Sequence, residues 1–196
     1  PPMAKKSTRN TRGRIVSAAW KLFYEQGYED TTVEEIIELS GTSKGSFYHY
    51  FDGKDALLST LSSLFDEKYE ELTGLLTPEM TAMEQLLFLN RELFHMIEDS
   101  ISLDLLARLY STQLTTNGEK HLLDHNRIYY KLLRKIIAKG QAEGQLSSRS
   151  NVNEMVKLYA LCERALLYDW CLCAGEYALT EYSAKVLPGF LSSFLP

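Results

Sequence analysis

The stretch GTSKGSFYHYFDGKDALL, residues 41–58, sets Phe47, Tyr48, His49, Tyr50 and Phe51 in succession directly after Ser43, Lys44, Gly45 and Ser46. On a helix each residue turns by about 100° from the last, so five adjacent rings cannot all face one core. Phe47 and Phe51 are four apart and share a face, expected to pack inward on Ile36 and the preceding helix. Tyr48, His49 and Tyr50 are then left with exposed or half-exposed edges. Thr42 or Ser43 is the expected N-cap, and small or polar residues fill the first turn.

Working upstream, Thr32 and Glu35 form a capping box ahead of Ile36, Ile37 and Leu39, and Gly41 ends that short helix. Before it, Ile15, Ala18, Ala19, Leu22 and Phe23 recur with helical spacing, and Gly27 is placed to stop the helix. Two short helices joined by a tight glycine turn and braced by a third spell helix-turn-helix. A helix that reads the major groove needs small or polar residues at its start so that the backbone can approach. Residues 43–46 meet that need. The outward rings are suited to donating to phosphates or touching thymine methyls.

Downstream, Asp52 and Asp55 repeat the capping pattern, and a helix carrying Leu57, Leu58, Leu61, Leu64, Phe65 and Tyr69 is expected to run on without a break. Gly74 and Pro78 end it. Amphipathic stretches follow at about 82–98, 103–111, 120–139, 152–174 and 180–194, so the fold class is all-α with about nine helices. The expected organisation is a helix-turn-helix domain over 1–58, in which 1–10 form a basic arm, and a helical bundle over 59–196. Pro1 and Pro2 ahead of Met3 are read as added residues.

The net charge of -5 is unevenly placed. Lys5, Lys6, Arg9, Arg12, Arg14 and Lys21 all precede the first acid, Glu25, while the excess of acids lies beyond residue 58. A basic leading arm on an acidic body suits a polyanion at one end. No apolar run reaches the ~20 residues of a membrane span, and no secretory signal opens the chain, so a cytoplasmic protein without membrane partners is expected. Cys162, Cys171 and Cys173 are expected to be buried, reduced thiols.

The run TTVEEIIELSGTSKGSFYHYFDGKDALL resembles the signature of TetR-family transcriptional regulators, in which T-T-V-x-x-I leads into S-x-G-x-x-Y-x-Y/H-F and then K-x-x-L. Gly53 departs from it, where a serine or other polar residue is common. The resemblance implies a cytoplasmic homodimer whose C-terminal domain binds a small effector and whose heads bind a palindromic operator in double-stranded DNA, usually repressing transcription. It places Thr32, Tyr48 and Lys54 on phosphates, and Ser43, Lys44, Gly45, Ser46 and His49 at bases or the neighbouring backbone. It further implies that the last two long helices pair with the partner's, with Leu166, Trp170 and Phe190 in the apolar surplus that would serve.

For an effector, Phe88, Phe94, Met96, Leu105, Leu109, Tyr110, Tyr129, Leu133 and Trp170 are suitable pocket residues, and Arg91, Asp104 and Arg108 could orient a polar group. The effector itself is not legible. His121 and His125 have i, i+4 spacing on an expected helix but lack a third ligand, so no metal is expected. No cofactor motif or catalytic constellation stands out, and no enzyme is expected. Two other readings stay open: a DNA-binding protein without ligand control, such as a nucleoid organiser, and a helical carrier or enzyme with a vestigial head.

Overall fold

In the computed structural model, which describes residues 4–117 and 120–196 and the backbone alone for 4–10, Thr32 caps α2 (Val33–Ser40) as anticipated. Its hydroxyl accepts from the Glu35 amide at 3.2 Å, and the Glu35 carboxylate accepts from the Thr32 amide at 2.8 Å. Gly41, with φ 60°, closes the helix in the left-handed region that glycine enters without a Cβ clash. Gly27 does the same for α1 (Ala4–Gln26), at φ 87°. The basic arm is therefore not a separate tail from Ala4 onward, since its backbone is the first part of α1. The side chains of Lys5, Lys6 and Arg9, like Pro1–Met3, lie outside the described residues.

Ser43 caps α3 (Lys44–Tyr50), accepting from the Ser46 amide at 3.1 Å. Phe47 and Phe51 are buried, with ring centroids 5.9 Å apart, and join Ile15, Ala19, Phe23 and Ile36 in the core beneath α1, α2 and α3. Tyr48 stays 45% exposed, His49 is exposed and Tyr50 is half-buried, so the inward and outward rings divide as the spacing predicts.

The anticipated continuous helix after residue 52 is in fact two: α4 (Lys54–Leu58) and α5 (Leu61–Thr73). Ser59, Thr60 and Ser62 turn their hydroxyls back onto the carbonyls of Ala56, Leu57 and Ser59, at 2.8, 2.5 and 2.7 Å. Hydroxyls that compete for backbone groups in this way loosen a helix, and the backbone here tightens into three-residue turns. Asp52 and Asp55 do not cap α4: its N-cap is Gly53, without a side-chain cap, and Asp55 instead accepts the Tyr28 hydroxyl.

The remaining chain forms α6 (Ala82–Ser100), α7 (Leu103–Thr115), α8 (Ile128–Ala142), α9 (Val152–Leu172) and α10 (Leu179–Phe190), with 3-10 turns at His121–Leu123 and Leu191–Phe194. Ten α-helices and no strand are present among the described residues, one helix more than expected because of the break at Ser59–Thr60. Residues 120–139 are likewise not one helix. His121 sits in the 3-10 turn and His125 in the loop before α8, stacked on Tyr130 at 4.6 Å, so the two do not share a helical face. Among the described residues no cluster of three or more metal-ligating side chains occurs, and no helix is long and apolar enough to cross a membrane. The three thiols are free, but only Cys162 is buried; Cys171 and Cys173 are half-buried.

α8 lies close against the start of α6 at Gly140, where an added Cβ would stand 2.6 Å from the Ala82 Cβ. α10 packs on both α6 and α9, and its first amides are held by an acid from another helix. Glu98 of α6 accepts from Leu179 N at 2.5 Å and Thr180 N at 2.9 Å. A carboxylate at a helix N-terminus satisfies otherwise unpaired donors and faces the positive end of the dipole.

Candidate nucleic-acid interface

α3 presents one face to the protein and another to solvent. Phe47 is completely buried, while Ser43, Lys44, Gly45, Tyr48 and His49 are all exposed. Nothing lies within 4 Å of a Cβ added to Gly45, so the chain's own packing does not require glycine there. A residue with no Cβ at the open start of a solvent-facing helix leaves room for another molecule's close approach. The Ser43 hydroxyl donates to the Ser46 hydroxyl at 2.9 Å as well as capping Ser46 N, so this pair is occupied in holding the turn.

Basic groups of α1 flank this face. The Arg12 guanidinium lies 5.4 Å from the Phe51 ring centroid, and Arg14 reaches to 3.9 Å of where a Gly41 Cβ would be. His49 stands edge-on to Tyr50 at 4.8 Å, which fixes both rings near the end of α3. Thr32 is exposed at the start of α2, its hydroxyl used in the capping box.

Lys54 is placed differently from its expected position on a phosphate. Its ammonium donates to the Tyr28 carbonyl at 2.6 Å and the Glu29 carbonyl at 3.3 Å, and lies 4.3 Å from the Tyr28 ring centroid. On the other flank of Tyr28, Arg108 of α7 lies 4.8 Å from the same ring and pairs with Glu29 at 2.6 Å. Arg108 is thus not a pocket residue: it ties α7 to the loop after α1, and Asp104, 2.9 Å away, orients it. Sequence periodicity could not foresee this, because the contact joins residues far apart in the chain.

The expected pocket residues do not form one site. Tyr110 and Tyr129 line a small cavity of about 40 Å³ with Phe65, Tyr69, Leu93 and Glu163. Phe88 instead lines a groove of about 530 Å³ between α6 and α10, and Phe94 is fully buried core. Trp170 is neither in the cavity nor on an outer face. It is 8% exposed and its indole N–H donates to the Tyr177 carbonyl at 2.9 Å, which corrects both roles assigned to it.

Glu163, which the sequence reading passed over, is 4% exposed and accepts from Tyr129 Oη at 2.5 Å and Asn90 Nδ2 at 2.8 Å. Burial pushes its carboxyl up to about 7, although those two hydrogen bonds and the Arg164 charge favour the ionised form. An acid on the inward side of an amphipathic helix was the available signal.

On the outer side, Leu161, Tyr168, Leu172, Tyr182 and Phe190 are exposed, and a groove of about 830 Å³ runs between α9 and α10 with Leu166, Tyr168, Val186 and Phe190 along it. Leu166 is itself only 5% exposed, so it forms the floor of that groove rather than its rim.

Residues 15–61 match the family described as bacterial regulatory proteins, tetR family. An uncharacterized HTH-type transcriptional regulator of Lactococcus lactis is 39% identical over 56 residues, covering 28% of this chain and 29% of that relative. The chain therefore matches less than a third of that relative's length. The uncharacterized HTH-type regulator YvdT of Bacillus subtilis is 26% identical over 147 residues, 74% of this chain and 75% of its own. Among solved structures, FadR of Thermus thermophilus, a TetR-family transcriptional repressor in complex with lauroyl-CoA, superposes with a TM-score of 0.76 at 26% identity, covering 94% of this chain and 95% of its own. The matched head is the part that carries α3 and its solvent-facing side chains, so residues 15–61 form a tetR-family domain, and the fold likeness to FadR extends over the helices beyond it.

Proposed function

We propose that the protein is a dimeric, ligand-responsive DNA-binding regulator, a repressor that a small molecule releases from a palindromic operator. The observation that carries this reading is α3, whose buried Phe47 orients a helix that leaves Lys44, Gly45, Tyr48 and His49 facing outward. Residues 1–58 would be the DNA-binding head, working in the cytoplasm, and residues 59–196 would bind the effector and dimerise. The FadR likeness supports an effector site within the helical body, since that protein is described with lauroyl-CoA bound. Control would act through the Arg108–Tyr28–Lys54 contact and the break at Ser59–Thr60, where α7 and α5 meet the head. An effector favouring a body arrangement that misplaces the two heads would oppose DNA reciprocally.

Fluorescence anisotropy with duplexes of matched and mismatched sequence tests the reading face. Lys44→Ala and His49→Ala are each expected to cost about 1 to 3 kcal/mol on the best site and less on mismatched ones. Lys54→Ala should instead lower affinity evenly across sequences, because its ammonium holds the Tyr28 loop. Equal losses for all three on every duplex would remove Lys44 and His49 as base readers.

Deleting residues 1–10 removes Lys5, Lys6 and Arg9. The expected result is weaker binding to all duplexes and a salt dependence flatter by roughly 0.9 in log–log slope per lost phosphate contact. A slope identical to that of the full chain would take the first turns of α1 out of the interface.

A further inference from the structure

The cavity among α5, α6, α7, α8 and α9 holds a buried acid, Glu163, and although Arg127 and Arg164 also line it, no cation among the described residues meets that acid at ion-pair distance. Among the described residues no ion pair reaches Glu163, and each of its oxygens is met by one neutral donor, Tyr129 or Asn90. The two nearby guanidiniums are committed elsewhere. Arg127 holds Asp66 at 3.0 Å, and half-exposed Arg164 donates to the Tyr130 hydroxyl at 3.3 Å. Buried carboxylates ordinarily have a counter-charge, because leaving water without one is costly.

The walls of the cavity are chemically specific. Tyr69 and Tyr110 line it beside Glu163. The site thus offers a carboxylate and two phenol oxygens as acceptors, with aromatic rings around them. A primary ammonium carries three N–H donors and no acceptor, one donor for each of those three acceptor groups, and it is attracted to ring faces. At about 40 Å³ the cavity holds roughly three waters, enough for an ammonium head and its first methylene. Ala160 and Arg164 line both this cavity and a groove of about 790 Å³ that includes Leu123, Tyr130 and Val152, where an apolar body could follow.

We propose that this cavity is the head-group site for a primary alkylammonium ligand, with Glu163 as its counter-ion and Tyr69 and Tyr110 as acceptors. An alcohol of the same length leaves the carboxylate without a counter-charge, and a carboxylic acid brings a second anion against it. The proposal rests on the ligand-responsive reading only for what binding does to DNA; the site itself can be tested with no DNA present.

The test is calorimetric titration of the full chain with hexylamine, hexanol and hexanoate at pH 8. Hexylamine is expected to bind at least about tenfold more tightly than either of the others, as a charge-assisted hydrogen bond exceeds a neutral one. Glu163→Gln should reduce hexylamine to the level of hexanol. Tyr110→Phe, which keeps the ring and loses one acceptor, should narrow the preference without abolishing it, and serves if the Gln variant does not fold.

The pH dependence has a definite sign. At pH 6 Glu163, with its carboxyl near 7, is mostly protonated and at pH 8 mostly ionised, so amine affinity should rise about tenfold between them. The other titratable groups facing it are the Tyr69, Tyr110, Tyr129 and Tyr159 phenols and the Cys162 thiol, all raised by burial, together with Asp66, Arg127 and Arg164. Equal binding of all three probes, tighter hexanoate, or no hexylamine binding at pH 8 would overturn the proposal. A chain that failed to bind duplex DNA would leave this titration unaffected, so the two readings fail separately.

Discussion

Phe190→Glu is expected to lower affinity for a palindromic duplex by about 10² to 10⁴ while leaving affinity for a half-site duplex nearly unchanged. On the proposed reading the head offers one short reading helix and a few basic groups, so a single head would bind weakly. Rigid pairing of two heads makes the second binding event intramolecular, and that gain disappears with the dimer. Phe190 is well placed for the test because it is 52% exposed and stands at the rim of the α9–α10 groove, outside the single-chain core. Leu158, Leu161, Ala165, Tyr168 and Leu172 recur at alternating three- and four-residue spacing along the outer side of α9, the pattern of a helix seam. A glutamate at the groove's rim, closed over by a partner packed on that seam, would be desolvated without a counter-charge. Sedimentation should show monomers with unchanged helical content. A folded mutant that still sediments as a dimer would place the pairing surface elsewhere.

Gly140→Ala is expected to destabilise the fold by about 2 kcal/mol, against the general preference of helices for alanine. The new Cβ would stand 2.6 Å from the Ala82 Cβ and 2.8 Å from the Leu146 Cγ and Cδ1. Ala82 has no rotamer with which to move aside, and its amide is held by the Gln145 side chain at 2.8 Å. Relief must come from separating α6 and α8, which would loosen the packing on both. Gly13→Ala is the matching control: Gly13 lies in α1 with nothing within 4 Å of an added Cβ, so propensity alone should stabilise it by up to about 1 kcal/mol. Thermal melts should move in opposite directions, by roughly 2–4 °C per kcal/mol for a chain of this size. A raised melting temperature for Gly140→Ala would show that the helices yield without cost.

The head was legible because its signals are local. The Thr32–Glu35 box, the Gly41 stop, the Ser43 cap and the four-residue spacing of Phe47 and Phe51 each act within a few residues. The break at Ser59–Thr60 was not, because Leu57, Leu58, Leu61 and Phe65 keep helical periodicity straight through it. What interrupts the helix is a set of hydroxyls turned inward, and the buried Thr60 also accepts from the Trp20 indole at 2.7 Å, a partner 40 residues away. The segment after α7 failed for a similar reason. Lys120 turns its ammonium onto the carbonyls of Gln113 and Thr116, at 2.5 and 3.0 Å, and the Gln113 side chain accepts from Leu122 N at 3.2 Å. These contacts fold the chain back where its apolar spacing alone suggested a straight helix.

The candidate site divides along the same line. Ser43, Lys44, Gly45, Tyr48 and His49 could be placed from spacing because they share one short helix. Glu163 needed the fold, since Tyr129 lies 34 residues away and Asn90 lies 73 away. Trp170 and Arg108 were misplaced because residue type alone does not say which side of a helix meets a neighbour.

The Trp20–Thr60 hydrogen bond also gives the protein a built-in optical gauge. The chain has two tryptophans, Trp20 and Trp170. One indole spans from α1 to the point where α4 gives way to α5, and the other is pinned to the Tyr177 carbonyl at the far end of α9. A rotation of the head about that point would stretch the first N–H bond and wet its ring, leaving the second ring dry. The Trp20 emission would then shift to the red while that of Trp170 held steady, so a Trp170→Phe variant would report head movement without any attached dye.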